Sequence, residues 1–425
     1  MKYIFNWDSV FCTTYIAIMI GIFTNLPINL DLFNPLAMAF EDFEMSDIVY
    51  SIPEIDKKNV NTGGQEIKKN TFRLKQEADT NIVLVNIQNL TRAELAQQIE
   101  ILNKHQPKVI AIDAFFRKEK GPAQDFPLAF AFSQVENLVL VSGLHGQNEE
   151  TGCFDSVSFS NQMFNEHAVN GFANVDAANS GEGYRTVKGF LPEVCLNDSV
   201  YPNFSASIVK IFNPDAYNDL QTREYENEVI NWRGHYDKFY ALDHDDVLNE
   251  KYDLSFIKGK IVLMGYIGQS LGERDLVDIF YTPQNHRVAG RSYPDTYGVV
   301  VHANIISMIL HENYISQLPL WATYLLIGIL TYLNICLFLY VAEHKKMYYD
   351  LITKGIQIVE VVFLMYLIVI FMLHYQMKVH LTLLFVAILL SGDLTELYAA
   401  SLKPMTIKYL TRFGILKAKE SKTDF

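Results

Sequence analysis

Candidate binding residues lie where predicted β-strands end, because parallel sheets bind ligands at that edge. Two of them are polar, Asn86 in the β-branched run Ile82–Ile87 and Asp113 after Val109–Ile112, and the third is Gly265 after Ile261–Met264. A buried-strand carboxylate such as that of Asp113 could bind a ligand, or it could cap the turn that follows. The sequence therefore marks Asp113 as a candidate ligand-binding residue and leaves the capping role open.

Further groups with chemical potential follow later in the chain. Asp275 and Asp278 are three residues apart and could bind a cation or cap a turn. The glycine-rich stretch Gly265–Gly272 lacks the Lys-Ser/Thr of a phosphate-binding loop, so we interpret it as a turn that needs positive φ. His302 lies near the start of a predicted helix, where a structural hydrogen-bonding role is commoner than a catalytic one.

Enzyme and metal-site signatures are missing from the sequence. It contains no Ser-His-Asp signature, no zinc-ligand spacing and no H-E-x-x-H motif, and neither Cys153 nor Cys195 lies in a recognisable nucleophile motif. We therefore expect no enzymatic activity, no metal and no cofactor.

Strand and helix patterns alternate around these residues. Strand-like runs at 82–87, 109–114, 138–142 and 261–264 are nearly continuously apolar. Between the first two, Arg92–Lys104 has apolar residues at helical spacing and Thr91 as a possible cap. Fully apolar strands alternating with helices predict an α/β domain with a mainly parallel sheet that is covered on both faces.

Apolar segments near both ends of the 425-residue chain have the length of membrane spans. The residues 319–341, 355–374 and 379–402 form three of them. The uncharged stretch 10–26 has about 17 residues, the short end of what crosses a bilayer. We favour an uncleaved anchor here, with a cleaved signal peptide as the alternative, because no small-x-small site follows.

Basic residues predict the orientation of these spans. The loop 342–354 contains three Lys, and the tail 403–425 has a net charge of +4, so both are expected in the cytoplasm. The predicted organisation is an anchor at 1–30, an extracytoplasmic domain at 31–318, three transmembrane helices at 319–402 and a basic cytoplasmic tail at 403–425. Together with the α/β domain, this gives a membrane part of four helices.

The whole chain has a net charge of -13, and the acidic residues concentrate in the middle. Residues 28–318 contain 24 Lys/Arg and 40 Asp/Glu, a net charge of -16. Such a surface repels phosphate, so nucleic acid is not expected as a partner. Cys153 and Cys195 could form a disulfide in an oxidising compartment, or they could be two buried free thiols.

Three acids lie inside the predicted spans, where ionisable groups are costly. Glu360, Asp393 and Glu396 could be solvated at the membrane interface, or they could contact a polar or basic residue of another transmembrane helix and take part in binding a partner. Asp393 and Glu396 share one helix face by their spacing.

Several segments resemble the second family of CHASE domains, which are extracytoplasmic sensors of bacterial signalling proteins. The resemblance covers most of residues 80–312 and is carried by Pro107–Asp113, Asp125–Ala129, Gly171–Asp176, Gly183–Arg185, Lys258–Gly265, Asp278 with Thr282-Pro283, and Gly298–Asn304. In that family one anchor helix precedes the sensor and three helices usually follow it. The resemblance implies a bacterial cytoplasmic (inner) membrane protein and a ligand site formed by Asn86, Asp113, Arg185, Gly265, Asp278 and His302, with Asp113 close to Arg185.

The chain also departs from the family pattern. Gln88 stands where the first strand of the family usually ends in an acid, and only Arg92 remains of a Trp-Pro-Trp-Pro-Arg stretch. Family members commonly continue into a cytoplasmic signalling enzyme, for which the tail of about 23 residues is too short. We therefore expect a sensor or ligand-binding subunit whose output lies on a partner membrane protein; the alternative is a structural or docking subunit of a larger envelope complex.

The predicted topology can be tested with a reporter fused after Phe425. We expect a cytoplasm-dependent fluorescent reporter to be active there and a periplasm-dependent phosphatase to be inactive, because basic flanks stay inside. Phosphatase activity at this position would contradict the four-span arrangement.

Overall fold

A computed structural model describes most of the chain as two compact units. The described residues are 6–25, 49–50, 54–55, 73–74, 76–148, 150–174, 186–197, 199–223, 225–273, 275–285, 293–378 and 382–412. The helical unit comprises Met1–Glu41 with Ser316–Phe425, and the α/β unit comprises Asp42–Ile315.

The α/β unit is built on a nine-stranded sheet. Its strands are β1 (Asp79–Asn86), β2 (Val109–Ile112), β3 (Leu138–Gln147), β4 (Phe154–Ser158), β5 (Ala168–Phe172), β6 (Glu193–Leu196), β7 (Ser199–Pro202), β8 (Phe239–Leu242) and β9 (Ile261–Gly265). Their spatial order is β7-β6-β4-β3-β2-β9-β1-β8, with β5 also paired to β3. In this spatial order, the neighbouring strands β8, β1, β9, β2 and β3 are parallel to one another, and β5 is parallel to β3. This confirms the predicted fold class.

Two-residue strands complete the pairing. Glu54–Ile55 is parallel to Arg73–Leu74, and Ser316–Gln317 is parallel to Met377–Lys378. The antiparallel pairs are Gly189–Phe190 with Glu228–Val229, and Ile279–Phe280 with Thr296–Tyr297.

Helices cover both faces of the sheet. They are α2 (Arg92–Lys104), α3 (Pro122–Ser133), α4 (Gln162–Asn165), α5 (Phe204–Phe212), α6 (Pro214–Thr222), α7 (His244–Leu248) and α8 (Gly298–Leu310), with 3-10 turns at Tyr236–Lys238 and Leu254–Ile257. The helices α2, α3, α4 and α7 share one core with alternate strand residues such as Val83 and Ile110. Successive strand side chains point to opposite faces, so the intervening residues, such as Leu84 and Ala111, face the layer of α5 and α8.

A buried ion pair fixes the loop between β2 and α3. The Arg92 guanidinium binds the Asp125 carboxylate and donates to the Lys118 carbonyl oxygen at 2.5 Å. The same carboxylate accepts from the backbone N–H groups of Lys120 and Gly121 at 2.8 and 2.9 Å. Arg92 therefore holds this loop against the start of α2.

A mixed extension, which consists of β4, β6 and β7, widens the sheet beyond β3. The second half of β3 pairs with β4, and β6 and β7 follow, with a Cys153–Cys195 disulfide beside them. Gly171 and Phe172 belong to β5, which is parallel to β3. A short apolar run does not encode the direction of its partner, so this pairing depends on the fold.

The helical unit contains α1 (Trp7–Asn25), α9 (Leu320–His344), α10 (Tyr349–Tyr375), α11 (Thr382–Leu397) and α12 (Lys403–Arg412), with a 3-10 turn at Lys346–Tyr348 and a π-turn at Tyr398–Leu402. Three of its segments are long and apolar enough to cross a membrane: Leu320–His344, Lys346–Tyr375 and Leu383–Thr406. The shorter α1 packs Cys12 and Ile16 against α9 and α11.

The Arg92–Asp125 pair yields a stability prediction. The substitution Asp125→Asn leaves a buried guanidinium without its counter-charge, and we expect it to lower the free energy of unfolding of the α/β unit by about 3–5 kcal/mol. Denaturant unfolding of the full chain should be followed by Trp232 fluorescence after Trp7 and Trp321 are replaced by Phe, because these are the other two of the three Trp. The exposed Glu119→Gln is the control, and equal effects of both substitutions would contradict the prediction.

Candidate functional site

The parallel register brings three of the predicted residues to one edge of the sheet. Gly265 at the end of β9 is paired with Asn86 at the end of β1. On the other side of β9, the backbone N–H of Asp113 donates to the Met264 carbonyl oxygen at 2.8 Å. The carboxyl ends of β1, β9 and β2 therefore carry Asn86, Gly265 and Asp113 side by side.

Asp278 joins this edge from the loop before the strand Ile279–Phe280. It has a positive φ of 51°, and its backbone carbonyl accepts from the N–H of Gly298, the first residue of α8, at 3.0 Å. The Asp278 carboxylate lies against Gly298 so closely that a Cβ there would be 3.0 Å from Oδ2. A side chain at position 298 would thus push the carboxylate away from the helix start.

The carboxylates of Asp113 and Asp278 influence each other. Burial raises the pKa of Asp113, and the neighbouring charge of Asp278 raises it further. Burial also raises the pKa of Asp278. Asp113 is half-buried, whereas Asp278 is exposed, so burial raises the pKa of Asp113 more than that of Asp278. Across the described part of the chain neither carboxylate accepts a hydrogen bond, which leaves both available to a ligand.

Asn86 shapes the neighbouring loop. Its Nδ2 donates to Asp243 Oδ1 and to the Gly268 carbonyl, both at 3.0 Å. Its Oδ1 accepts from the N–H groups of Ile267 and Gln88 at 3.0 and 3.1 Å. These bonds occupy the donors and acceptors of the amide, so Asn86 holds the 266–268 turn in place.

Gly265 is required by a close approach of backbone and helix. A Cβ at this position would lie 2.6 Å from Val299 Cβ, well inside van der Waals contact. The absence of a side chain lets α8 pack directly on the end of β9, which brings the start of the helix to the carboxyl edge of the sheet.

His302 lies in the layer between α8 and α5. It is only 2% exposed, its Nδ1 is 2.9 Å from Ser205 Oγ, and its ring meets that of Phe204 edge-on. Burial lowers the pKa of His302 to about 4, so the imidazole is neutral at physiological pH. His302 therefore joins two helices by a neutral hydrogen bond.

The remaining predicted residues are distributed as follows. Arg185 lies outside the described residues, so its closeness to Asp113 stays a prediction. In the helical unit, Glu360 accepts from Asn334 Nδ2 at 2.8 Å, and Asp393 binds Lys354 Nζ at 2.7 Å. Glu396 is exposed and has no hydrogen bond or ion pair within the described ranges.

A comparison with protein families agrees with this architecture. The model of the CHASE2 domain matches residues 65–340, more than half of the chain. The chain belongs to the CHASE2 family. CHASE2 domains are extracytoplasmic sensor or ligand-binding modules, which confirms the resemblance carried by the sequence motifs. No curated protein and no solved structure matches the chain.

The CHASE2 match includes residues that sequence reasoning missed, at the opposite end of α8. Buried Asp79 accepts from Ser307 Oγ at 2.7 Å and lies 3.0 Å from His311 Nε2. Arg223 is bound to Glu228 and lies with its guanidinium 4.1 Å from the ring centroid of Tyr314. The partners are up to 232 positions apart in the chain, so no local pattern could have paired them.

Within the residues that the structure describes, no group of three or more His, Cys, Asp and Glu side chains could hold a metal ion. The pair Asp113 and Asp278 therefore offers two carboxylates and no third side chain of these types.

The raised pKa of Asp113 predicts a pH dependence of stability. A carboxyl whose folded-state pKa lies above its unfolded value, about 3.9, stabilises the fold most fully below that value. This contribution disappears as the pH rises through the folded pKa, so the wild-type free energy of unfolding should fall with rising pH. We expect Asp113→Asn to flatten this fall, as measured by denaturant unfolding from pH 4 to alkaline pH.

The exposed Glu100→Gln on α2 is the control for the pH experiment, because it removes a carboxylate elsewhere. A pH profile of Asp113→Asn that runs parallel to that of the wild type would contradict a raised pKa of Asp113.

Proposed function

We propose that the chain is a membrane-anchored extracytoplasmic sensor subunit that signals through a partner membrane protein. The observation that carries the proposal is the Asp113 and Asp278 pair at the start of α8, two carboxylates without hydrogen bonds among the described residues. Membership of the CHASE2 family supplies the sensor class. A ligand that donates hydrogen bonds or carries positive charge would favour the ionised pair, and so would bind one state of this edge better than another.

Helix α8 connects this edge to the end of the α/β unit along the chain. Its first residue, Gly298, contacts Asp278, and its last turn contributes Ser307 to the bond with Asp79. The chain then leaves the α/β unit at Ile315 and continues into the helical unit at Ser316. A displacement of the start of this rigid helix would therefore also displace its end, near the point where the chain leaves the α/β unit.

Contacts within the helical unit support the proposed topology. Ser316–Gln317 pairs with Met377–Lys378, which places the start of α9 and the end of α10 at one end of this unit. Lys403 Nζ lies 2.6 Å from Asp8 Oδ2, so the starts of α1 and α12 share another contact region. At about 1.5 Å per residue, the 19 residues of α1 would extend about 28 Å, close to the hydrocarbon thickness. These contacts favour four spans, and the basic loop 342–354 and tail 403–425 favour a cytoplasmic C-terminus in the bacterial inner membrane.

The partner contact would lie on α11. Glu396 is exposed on an apolar helix and, among the residues described, makes no hydrogen bond or ion pair within the chain. Ionisable groups in spans usually face another polar group, because a charge in hydrocarbon is costly. A basic or polar residue on a helix of the partner protein would complement Glu396 in the way that Lys354 complements Asp393.

A docking role is the second candidate, and one observation favours it. Phe126 and Phe130 lie one turn apart on α3 and are 60% and 61% exposed. Neighbouring exposed aromatic rings are unusual on a free surface and commonly mark a protein contact. In that case the α/β unit would serve as a docking surface for other envelope proteins.

Capture of partners from native membranes distinguishes the two roles. We expect the wild-type full chain, purified from mild detergent, to recover a signalling enzyme detected by quantitative mass spectrometry, and Glu396→Gln to lose it. The exposed Asp350→Asn, which also removes an acid from the helical unit, is the control and should retain the enzyme.

Recovery of envelope assembly or transport proteins would contradict the sensor role, above all if Phe126→Ser with Phe130→Ser abolished it and Glu396→Gln did not. Equal recovery of the signalling enzyme by wild type and Glu396→Gln would contradict the assigned membrane contact.

A further inference from the structure

A cavity of 680 Å³ lies between the mixed extension of the sheet and the end of α6. Its walls come from the β3–β4 connection, β6, the start of β7 and the segment after α6, none of which carries Asp113 or Asp278. Pockets for small molecules commonly have about 300–1,000 Å³, so this cavity has room for a ligand of one or two sugar rings.

The cavity lining presents groups that both donate and accept hydrogen bonds. Side-chain amides come from Gln147, Gln221 and Asn227, and carboxylates come from Glu193 and Glu226. Gln221 offers an acceptor oxygen and two donor hydrogens, whereas Gln147 offers its oxygen, because its Nε2 donates to the Gly152 carbonyl at 3.1 Å. Each carboxylate accepts only. Hydroxyl groups, which donate and accept at one atom, are the natural complement of such a mixed set.

The charge of the lining argues against an anionic ligand. Arg223 is the basic residue at the cavity wall, but its Nε and Nη2 bind both carboxylate oxygens of Glu228 at 2.6 and 3.1 Å. The guanidinium charge is thereby neutralised, and Glu193 with Glu226 leaves the wall acidic. Val200, which is 65% exposed, adds an apolar side chain to the same wall, a surface suited to the C–H face of a sugar.

Arg223 connects this wall to the segment that leaves the α/β unit. Its guanidinium lies 4.1 Å from the centroid of the Tyr314 ring, and Nη2 donates to the Ile315 carbonyl at 3.5 Å. Asn231 follows closely after the strand Glu228–Val229, and its side chain donates to the Asn313 carbonyl at 3.0 Å. The segment 313–315 is thus held by residues adjoining the cavity.

We propose that this cavity binds a neutral, hydroxyl-rich molecule of mono- or disaccharide size, and that its occupancy tightens the hold of Arg223 on the segment 313–315. The site is separate from the Asp113 and Asp278 edge and therefore goes beyond the proposed function. A free sugar and the terminal sugar of an envelope polymer present the same hydroxyls, and the test includes both sources.

Binding should be measured by calorimetry on the full chain in lipid nanodiscs, because sugar-based detergents would compete. The probes are glucose, maltose and trehalose as free sugars, dextran as a polymer, spermidine as a cation and citrate as an anion. We expect a neutral sugar to bind the wild type and to bind Gln221→Trp, which fills the cavity, at least about tenfold more weakly. Asn218→Trp, exposed on the same helix and outside the lining, should bind like the wild type.

Either of two binding results would overturn the assignment: no neutral sugar binds at about millimolar concentration, or Gln221→Trp leaves the affinity unchanged. Binding of spermidine or citrate in place of sugar would overturn the ligand class. Asp113→Asn should retain sugar binding, so the failure of this inference and the failure of the proposed function are distinguishable.

Hydrogen exchange tests the proposed connection between the cavity and the segment 313–315. We expect the bound sugar to slow amide exchange in residues 311–315 by about tenfold in the wild type, and Tyr314→Leu to abolish this slowing while it retains sugar binding. Tyr314→Phe is the matched control, because the Tyr314 hydroxyl has no hydrogen-bond partner within the part of the chain that the structure describes. Unchanged exchange in the sugar-bound wild type would overturn the connection.

Discussion

The close approach of α8 to the end of β9 is the constraint on which the rest of the α/β unit depends. Gly265 has no side chain, and any Cβ there would overlap Val299. Because the helix can lie directly on the strand, its first residue reaches Asp278, and its middle residue His302 reaches Ser205. A displacement of α8 would break several such contacts together, so the helix is suited to move as one body or not at all.

Polar contacts between helices organise the helical unit in a comparable way. Gln357 donates to the Ile388 carbonyl at 2.6 Å, and the Tyr349 hydroxyl donates to the Gly392 carbonyl at 2.8 Å. In lipid, where apolar side chains gain little by facing one another, such bonds and small residues decide which helix faces pack. The same reasoning singles out Glu396, whose carboxylate has no such bond among the described residues.

Sequence patterns predicted the parts of the fold that are determined locally. The apolar run Ile261–Met264 and the helix Arg92–Lys104, capped by Thr91, appear within a residue of their predicted bounds, because burial and capping are written into adjacent residues. The direction of β5 depends on its partner strand, which a short apolar run does not specify. At the site, Asp113 was marked by its place after a strand, whereas its closeness to Asp278 depends on α8 returning to the sheet. Arg223 and Ile315 are 92 residues apart and carried no signal at all.

The disulfide determines in which compartment the wall of the cavity can be completed. Cys195, which is bonded to Cys153, forms part of the wall of the cavity. Cytosolic thiols are kept reduced, so this covalent tie can form only after the segment has crossed the membrane. Before export, the wall of the cavity would therefore lack this covalent bond. Oxidation would then complete the cavity only on the extracytoplasmic side of the membrane.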